Sequence, residues 1–316
     1  MPRRSGLLEF ARNCFTSNIL VPIPKKLERI EICPIVGTRL GIGCNPELIS
    51  TQRNVTNSKR HRDIMKPAVH HEGQRTAAAL TGIFTAASYN IHQAIGTDRR
   101  HDRHRVVQVI KQLEADVIGL QEVDTNPNGD EMFQLDFFAR HTGLKAIAGH
   151  TMRRRDSDYG NVLLTRHKIL EVRNIDLSVP RREPRGAIDV DLEIDGVVVR
   201  VIVTHFGLSS RERFYQGDLL IKAVAHRRDA MVVVLSDLNE WHRYGRTSRS
   251  ITPHFGRSAR LRTFPSWMPL FALDRIWVWP ENALISTRVH RQAPAALASD
   301  HLPITAKITT AACLRS

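Results

Sequence analysis

The sequence lacks several features that would settle its class at once. Its four cysteines, Cys14, Cys33, Cys44 and Cys313, form no CxxC pair and no metal-ligand spacing, which argues against a zinc module and a disulfide framework. A reducing, cytoplasmic compartment is therefore expected. No apolar stretch approaches the ~18 residues that cross a bilayer. The apolar segment behind the basic start, Met1-Pro-Arg-Arg, is broken by Glu9, Arg12 and Asn13, which argues against a secretory signal. Internal repeats and low-complexity tracts are missing too, so a repeat array is excluded.

What is present is apolar residues and positive charge. The 316 residues are 42% hydrophobic, ample for a substantial core. There are 46 Lys and Arg against 32 Asp and Glu, a net charge of +14, and such an excess favours a polyanionic partner, nucleic acid or an anionic membrane surface. Arginines cluster at Arg153-Arg154-Arg155 and at Arg181, Arg182 and Arg185, in segments expected to be loops.

Residues 1–80 differ from the remainder. Short apolar pieces are separated by Pro and Gly, and Thr51 to His71 is polar and basic, the composition of a poorly ordered lead-in. The change in character also fits translation from Met65, which mass spectrometry of the natural product tests. The expected organisation is thus a basic extension over 1–80, one domain over 81–311 and a tail over 312–316.

From Ile83 the pattern becomes regular. Ile83 to Ile91 reads as a strand and Arg103 to Ala115 as a helix, with Val106, Val109, Ile110 and Leu113 on one face. Val117 to Val123 is the next strand, Gln134 to His141 a short helix, and Lys145–Gly149, Gly160–Thr165 and Ile169–Leu177 further strands. Ile188 to Ile194 alternates apolar residues with Asp189, Asp191 and Glu193 before a turn at Asp195-Gly196, predicting a hairpin with one wet face. Ser209-x-x-Glu212 carries a capping-box signature for a helix reaching about Arg227. Val232 to Leu235 is an unbroken buried strand, and Leu273–Trp279 and Leu302–Thr310 complete the set. Strands joined partly by hairpins and partly through helices predict an α+β fold with two packed mixed sheets and helices outside.

Polar residues recur where these strands end: Asn90, Glu122, His205, Asp237, Asn239, Asp274, and Asp300 with His301. Asp237 and Asn239 lie two apart, so an extended chain would turn both into one site. An acceptor and an amide donor held together there suit a phosphate and its attacking water.

Six blocks then carry a resemblance: Tyr89-Asn90-Ile91-His92, Gly119-Leu-Gln-Glu122-Val123, Thr204-His205, Ser236-Asp237-Leu-Asn239, Leu273-Asp274-Arg-Ile276 and Ser299-Asp300-His301-Leu-Pro303. In that order they resemble the motifs of the endonuclease/exonuclease/phosphatase superfamily, which includes deoxyribonuclease I, AP endonucleases and inositol polyphosphate 5-phosphatases. The resemblance spans about residues 83–310. Arg182-Glu-Pro-Arg185-Gly-Ala, Asn239-Glu-Trp241 and Thr263-Phe-Pro-Ser266 are similar to a bacterial branch of metal-dependent hydrolases.

The resemblance implies a four-layer α/β/β/α sandwich of the DNase I type that hydrolyses phosphate esters with Mg²⁺ or Mn²⁺. A divalent ion neutralises the anionic ester and takes oxygen ligands, needing few protein carboxylates. The metal ligands implied are Glu122 first, Asn90 beside it, and Asp300 directly or through water. The implied catalytic set is His205, Asp237, Asn239, Asp274 and His301, with Asp274 orienting His301 and Asp237 handling the water; which group is the formal base stays open. Asn90, Asn239, His205 and Arg185 are the implied phosphate contacts. Ser236 replaces the family's usual glycine, and His92 stands where AP endonucleases carry an acid, which speaks against abasic-site repair. The expected substrate is a phosphate ester of nucleic acid or of a phospholipid headgroup. The competing class is a non-catalytic nucleic-acid or anionic-membrane binding protein on the same fold.

Overall fold

The computed structural model describes residues 82–125, 134–153, 158–225, 231–242 and 245–315. The basic extension and Arg154-Arg155 lie outside the described residues. Among those described, no helix is long and apolar enough to cross a membrane.

Among the described residues, eleven strands form two sheets. In chain order the first four are β1 (Ile83–Asn90), β2 (Val117–Thr125), β3 (Lys145–Arg153) and β4 (Asp158–Thr165). Next come β5 (Lys168–Asp176), β6 (Gly186–Ile194), β7 (Val197–His205) and β8 (Met231–Asp237), then β9 (Asp274–Trp279), β10 (Leu284–Val289) and β11 (Ile304–Thr309). The first sheet runs β10-β11-β1-β2-β4-β3 and the second β5-β6-β7-β8-β9. β1 with β2 and β7 with β8 are parallel; the other pairs are antiparallel. Each parallel pair needs a helical crossover, supplied by α1 (Arg103–Leu113) and α3 (Ser210–Val224). Helices α2 (Gln134–Thr142), α4 (Arg246–Phe255) and the short α5 (Ala295–Ala298) complete the set.

Three apolar clusters define the layers. Phe84, Val117, Leu163, Val190, Val201, Val203, Val233, Leu235 and Ile304 meet between the two sheets. Val106, Val109, Ile110 and Leu113 of α1, with Phe138 of α2, pack on Ile118, Leu120 and Val162 of the first sheet. Leu220 of α3 and Ile251 and Phe255 of α4 pack on Ile202, Val232, Val234 and Trp277 of the second. Helices therefore cover both outer faces, giving the expected four-layer sandwich. At Gly119 the sheets come close: a Cβ built there would lie 2.9 Å from Leu235 Cβ and Val203 Cγ1.

α1 forms where its apolar spacing places it. Asp102 caps it by accepting from the amides of His104 and Arg105, and Glu114 ends it at φ +48°. α3 departs from expectation, because Ser209 is the cap residue but its side chain makes no capping bond. Glu212 is buried instead, packed against Gly207 and accepting from Gln216 Nε2 at 3.4 Å.

The wet face of β6 is a second correction. Asp189 and Asp191 are 1% and 7% exposed, because Arg173 from β5 donates to both and Arg200 from β7 donates to Asp189 Oδ1 at 2.8 Å. Charge alternation there marks a cross-strand ion network in the sheet's helix-covered face. α4 and β10 fall in stretches where the sequence pattern predicted no element. Pro253 lies inside α4 and hides its helical pattern.

Candidate active site

The parallel pairs place the site. In a parallel pair both C-terminal ends lie on one side, so Asn90 and Glu122 leave the first sheet together and His205 and Asp237 leave the second together, the latter two directly paired. Asp274 opens β9 opposite Asp237. The segment before β11 adds Asp300 and His301.

Local backbone features aim these side chains. The β2–β4 register shifts between Leu120 and Val123, and Glu122 sits inside this bulge at φ +58°. Bulges re-aim side chains at strand ends. Asn239 is not in an extended run with Asp237, as the sequence suggested. It has φ +53°, and its amide donates to Asp237 Oδ1 at 2.9 Å, so an Asx turn rather than strand alternation brings the two together. Ser299 Oγ donates to the Asn90 carbonyl at 2.8 Å and accepts from the His301 amide at 3.2 Å, tying the His301 segment to the end of β1.

The side chains converge on Asp237 Oδ2. Asn90 Nδ2 donates to it at 3.0 Å and to Glu122 Oε1 at 2.9 Å. His205 Nε2 lies 3.6 Å and His301 Nε2 3.7 Å from the same Asp237 oxygen, and His205 Nε2 is 3.9 Å from Glu122 Oε1. Asn239 Nδ2 donates to the Phe206 carbonyl at 2.9 Å and sits 3.0 Å from His205 Nε2. Asp274 Oδ2 accepts from His301 Nδ1 at 3.0 Å and from Thr263 Oγ1. Arg185 is buried, and its Nη1 lies 3.0 Å from His205 Nδ1. Asp300 stands at the margin, with Oδ1 3.4 Å from Ser299 Oγ and 3.9 Å from His92 Nδ1.

The two histidines are driven in opposite directions. Burial, reinforced by the Arg185 charge, lowers the His205 pKa to about 3 despite Asp237. Arg185 Nη1 and Asn239 Nδ2 can both only donate and lie 3.0 Å from Nδ1 and Nε2 of His205 respectively, so the neutral ring accepts from one of them and neither contact alone sets its tautomer. Burial also opposes charge on His301, but Asp274 and Asp237 outweigh it and hold its pKa well above the ordinary value. A neutral imidazole and an imidazolium thus flank one buried carboxylate.

Asp237, Asp274 and His301 bring ligand atoms within 4.8 Å of one another, close enough to hold a metal ion. With His301 Nδ1 engaged by Asp274, these groups also form a proton-holding chain. Glu122 is the more accessible carboxylate, its side chain 19% exposed against 1% for Asp237 and 0% for Asp274. Asp274 Oδ1 is buried without a partner. The carboxylate oxygens of this set suit a hard divalent cation, while the Asn90 amide turns Nδ2 toward Glu122 and Asp237 and its oxygen to the His92 amide.

Sequence reasoning missed the supports. Thr263 reaches Asp274, and Ser299 stitches two segments. Arg213 of α3 donates to the Gly207 and Leu208 carbonyls at 3.3 and 2.6 Å and to Glu240 Oε1 at 3.1 Å. It therefore ties the segment after His205 to the one after Asp237. Phe264 packs against the His301 ring at 4.9 Å, and Trp241 against Phe264 and Phe271. A buried Arg with an acid one residue past Asn239 was the available signal.

A double-sheet sandwich with histidines and carboxylates gathered at paired strand ends defines a DNase I-like hydrolase fold. The chain belongs to the endonuclease/exonuclease/phosphatase family, whose model matches residues 87–301. Members of that family are phosphoester hydrolases, and this chain is an enzyme of that kind. It is 28% identical over 245 residues to the uncharacterized protein YbhP of Escherichia coli K12, covering 71% of this chain and 96% of YbhP. Among solved structures it resembles an endonuclease/exonuclease/phosphatase from Bacteroides vulgatus, with TM-score 0.60, 20% identity, and coverage of 72% of this chain and 98% of the other. It also resembles the mannosyl-6-phosphatase Bt3783 of Bacteroides thetaiotaomicron, with TM-score 0.54, 17% identity, and coverage of 71% and 98%.

Proposed function

We propose that the protein is a metal-dependent phosphodiesterase, using Mg²⁺ or Mn²⁺, in which water attacks the phosphorus of a phosphate diester. The observation that carries this reading is the convergence of Asn90, His205 and His301 on Asp237 from both sheets, with Glu122 held beside them by Asn90. Glu122, with Asp300 directly or through water, would hold the cation, and Asn90 would join by turning its side-chain oxygen from the His92 amide, from which it accepts at 3.0 Å. When bound, the cation would supply charge neutralisation at a nonbridging oxygen and at the leaving oxygen.

The chain's own groups do the remaining work. Asp237 accepts from Asn90 and sits between both imidazoles, placed to orient an attacking water by accepting its proton-bearing edge. His301, charged and held by Asp274, presents Nε2–H as an electrophilic donor to an anionic phosphoryl oxygen. Neutral His205 and the Asn239 side-chain amide, 3.0 Å apart, would stand beside it as further phosphate contacts. Arg185 stands behind His205, 3.0 Å from its Nδ1, and adds positive potential. His92 beside Asp300, in place of an acid, fits a site not built for abasic DNA.

Hydrolysis of bis-p-nitrophenyl phosphate by Glu122→Ala and His301→Ala, with and without Mg²⁺ or Mn²⁺, tests the assignment. Both variants should lose turnover while keeping the wild-type circular dichroism spectrum, and unchanged turnover in either would sink the reading. The +14 charge motivates the second reading, a binding protein with an idle site. Salt-sensitive binding to a polyanion by a wild-type protein that hydrolyses nothing in either metal would favour it.

A further inference from the structure

Beside the catalytic cleft, the segment from Thr263 to Phe271 folds back on itself. Thr263 N donates to the Phe271 carbonyl at 2.9 Å, and Leu270 N and Phe271 N donate to the Phe264 carbonyl at 2.9 and 2.8 Å. Ser266 anchors the loop to the site: its amide donates to the Asp300 carbonyl at 2.7 Å, and its hydroxyl bonds the Ser299 and Ala296 carbonyls at 2.6 and 3.0 Å. The same loop begins with Thr263 on Asp274 and Phe264 on the His301 ring. Its tip nevertheless faces water with large apolar groups. Trp267 is 58% exposed, Met268 45% and Leu270 40%, and Leu297 of α5, beside the Ala296 that Ser266 grips, is 42% exposed.

Single exposed apolar residues need no explanation, but a contiguous ridge on a hydrogen-bonded frame marks an interaction surface. The charge around it identifies the partner. Arg99 and Arg100 are exposed on the turn whose Thr97 bonds the Leu297 and Ala296 carbonyls at 3.1 and 3.2 Å. Arg262 is exposed at the base of the loop, and Arg291 on the turn leading into α5. Trp, Met and Leu rimmed by arginine are the composition of an element that lies in the headgroup region of an anionic bilayer, with the indole at the boundary and the aliphatic groups below it. A single-stranded nucleic acid platform needs a succession of flat rings, whereas three of the four ridge side chains are aliphatic.

We propose that Trp267, Met268, Leu270 and Leu297 seat the protein on an anionic lipid surface, so that the cleft takes its phosphate ester from molecules displayed on that surface. The second half of this statement rests on the phosphodiesterase reading; the first does not. Sedimentation of the full chain with phosphatidylcholine vesicles, with and without about one third phosphatidylglycerol, is therefore run in EDTA, where no turnover is needed. The wild-type protein should sediment with the phosphatidylglycerol vesicles. Trp267→Ser combined with Leu270→Ser should weaken that partitioning by about tenfold or more, as expected when two large apolar groups no longer enter the interface. The same variant should hydrolyse soluble bis-p-nitrophenyl phosphate at the wild-type rate.

Wild-type protein that ignores the vesicles overturns the proposal, as does a double variant that binds them unchanged. Loss of oligonucleotide binding by the variant with vesicle binding intact assigns the ridge to nucleic acid and also overturns it. Iodide quenching of Trp267, taken as the difference between wild type and Trp267→Phe, reports whether residues 1–81 or a second copy already cover the ridge; a shielded Trp267 counts against lipid. Absent hydrolysis alongside intact vesicle binding sinks the phosphodiesterase reading alone.

Discussion

Asp274→Asn tests the electrostatics of the site with almost no change in shape. Asp274 Oδ2 receives both His301 Nδ1, at 3.0 Å, and Thr263 Oγ1, and the side chain is fully buried. Asparagine can keep the hydrogen bond by turning its carbonyl oxygen to Nδ1–H, but it removes the negative charge that outweighs the burial of an imidazolium. A hydrogen bond to a charged group contributes about 1.5–3 kcal/mol. The His301 pKa should fall, and at about 1.4 kcal/mol per decade kcat should drop by about tenfold to a hundredfold. Proton NMR titration of the His301 ring and the pH–rate profile on bis-p-nitrophenyl phosphate measure the two quantities. The basic limb of the profile should move to lower pH along with the ring titration, while the thermal midpoint changes by a few degrees. An unchanged kcat with an unchanged basic limb would refute the idea that Asp274 acts by holding His301 charged. A ring that titrates lower while the rate stays constant would remove imidazolium donation from the mechanism.

Three further outcomes follow from the same geometry. Glu122→Gln keeps the hydrogen-bonding shape of a partly exposed side chain, so folding should be unperturbed while metal-stimulated turnover falls about a hundredfold or more, measured across a Mg²⁺ titration. Arg213→Ala strands the buried Glu240 carboxylate and should cost about 3–5 kcal/mol in urea unfolding; Arg213→Met with Glu240→Leu should recover most of that stability but not kcat, because the two catalytic segments are no longer tied. His205 gives stability a pH dependence of defined sign. Its folded pKa of about 3 lies below the ordinary 6.5, so between these values the unfolded chain binds the extra proton, and stability should drop as pH falls from 6.5 toward 3. His301 acts oppositely, stabilising fully below 6.5 and losing that contribution as pH rises through its raised pKa. Urea midpoints in EDTA, compared among wild type, His205→Asn and His301→Asn, separate the two; an acid limb identical in wild type and His205→Asn would contradict the first.

The sequence made the sandwich legible wherever burial was strict. β8 is buried at every position, and its apolar run Val232–Leu235 left no other reading. The candidate site residues were legible by their place at the edges of such runs, Asn90, His205 and Asp237 where a strand stops and Asp274 where one starts. What stayed hidden was set by partners distant in sequence. Asp189 and Asp191 look solvated until Arg173 and Arg200 are brought across two strands. The capping box at Ser209 fails because Glu212 is drawn toward Gly207 and Gln216. Asn239 was rightly grouped with Asp237 but for the wrong reason, since period-two alternation cannot anticipate a positive φ. Thr263 and Ser299 lay inside motif blocks, yet their supporting roles, like that of Arg213, stayed hidden because such residues are defined by what they hold.

Gly119 has reach beyond its own contacts. Its missing side chain allows β2 to lie against Val203 and Leu235, so the gap between one half of the proposed reaction centre, borne by Asn90 and Glu122, and the other, borne by His205 and Asp237, is dictated deep in the interior. Adding a single methyl there would act as a wedge, prising the two jaws of the enzyme apart from behind without touching either. Chemistry and core packing are in this way one mechanical problem, and the surface loops are left free to vary with whatever the jaws are asked to bite.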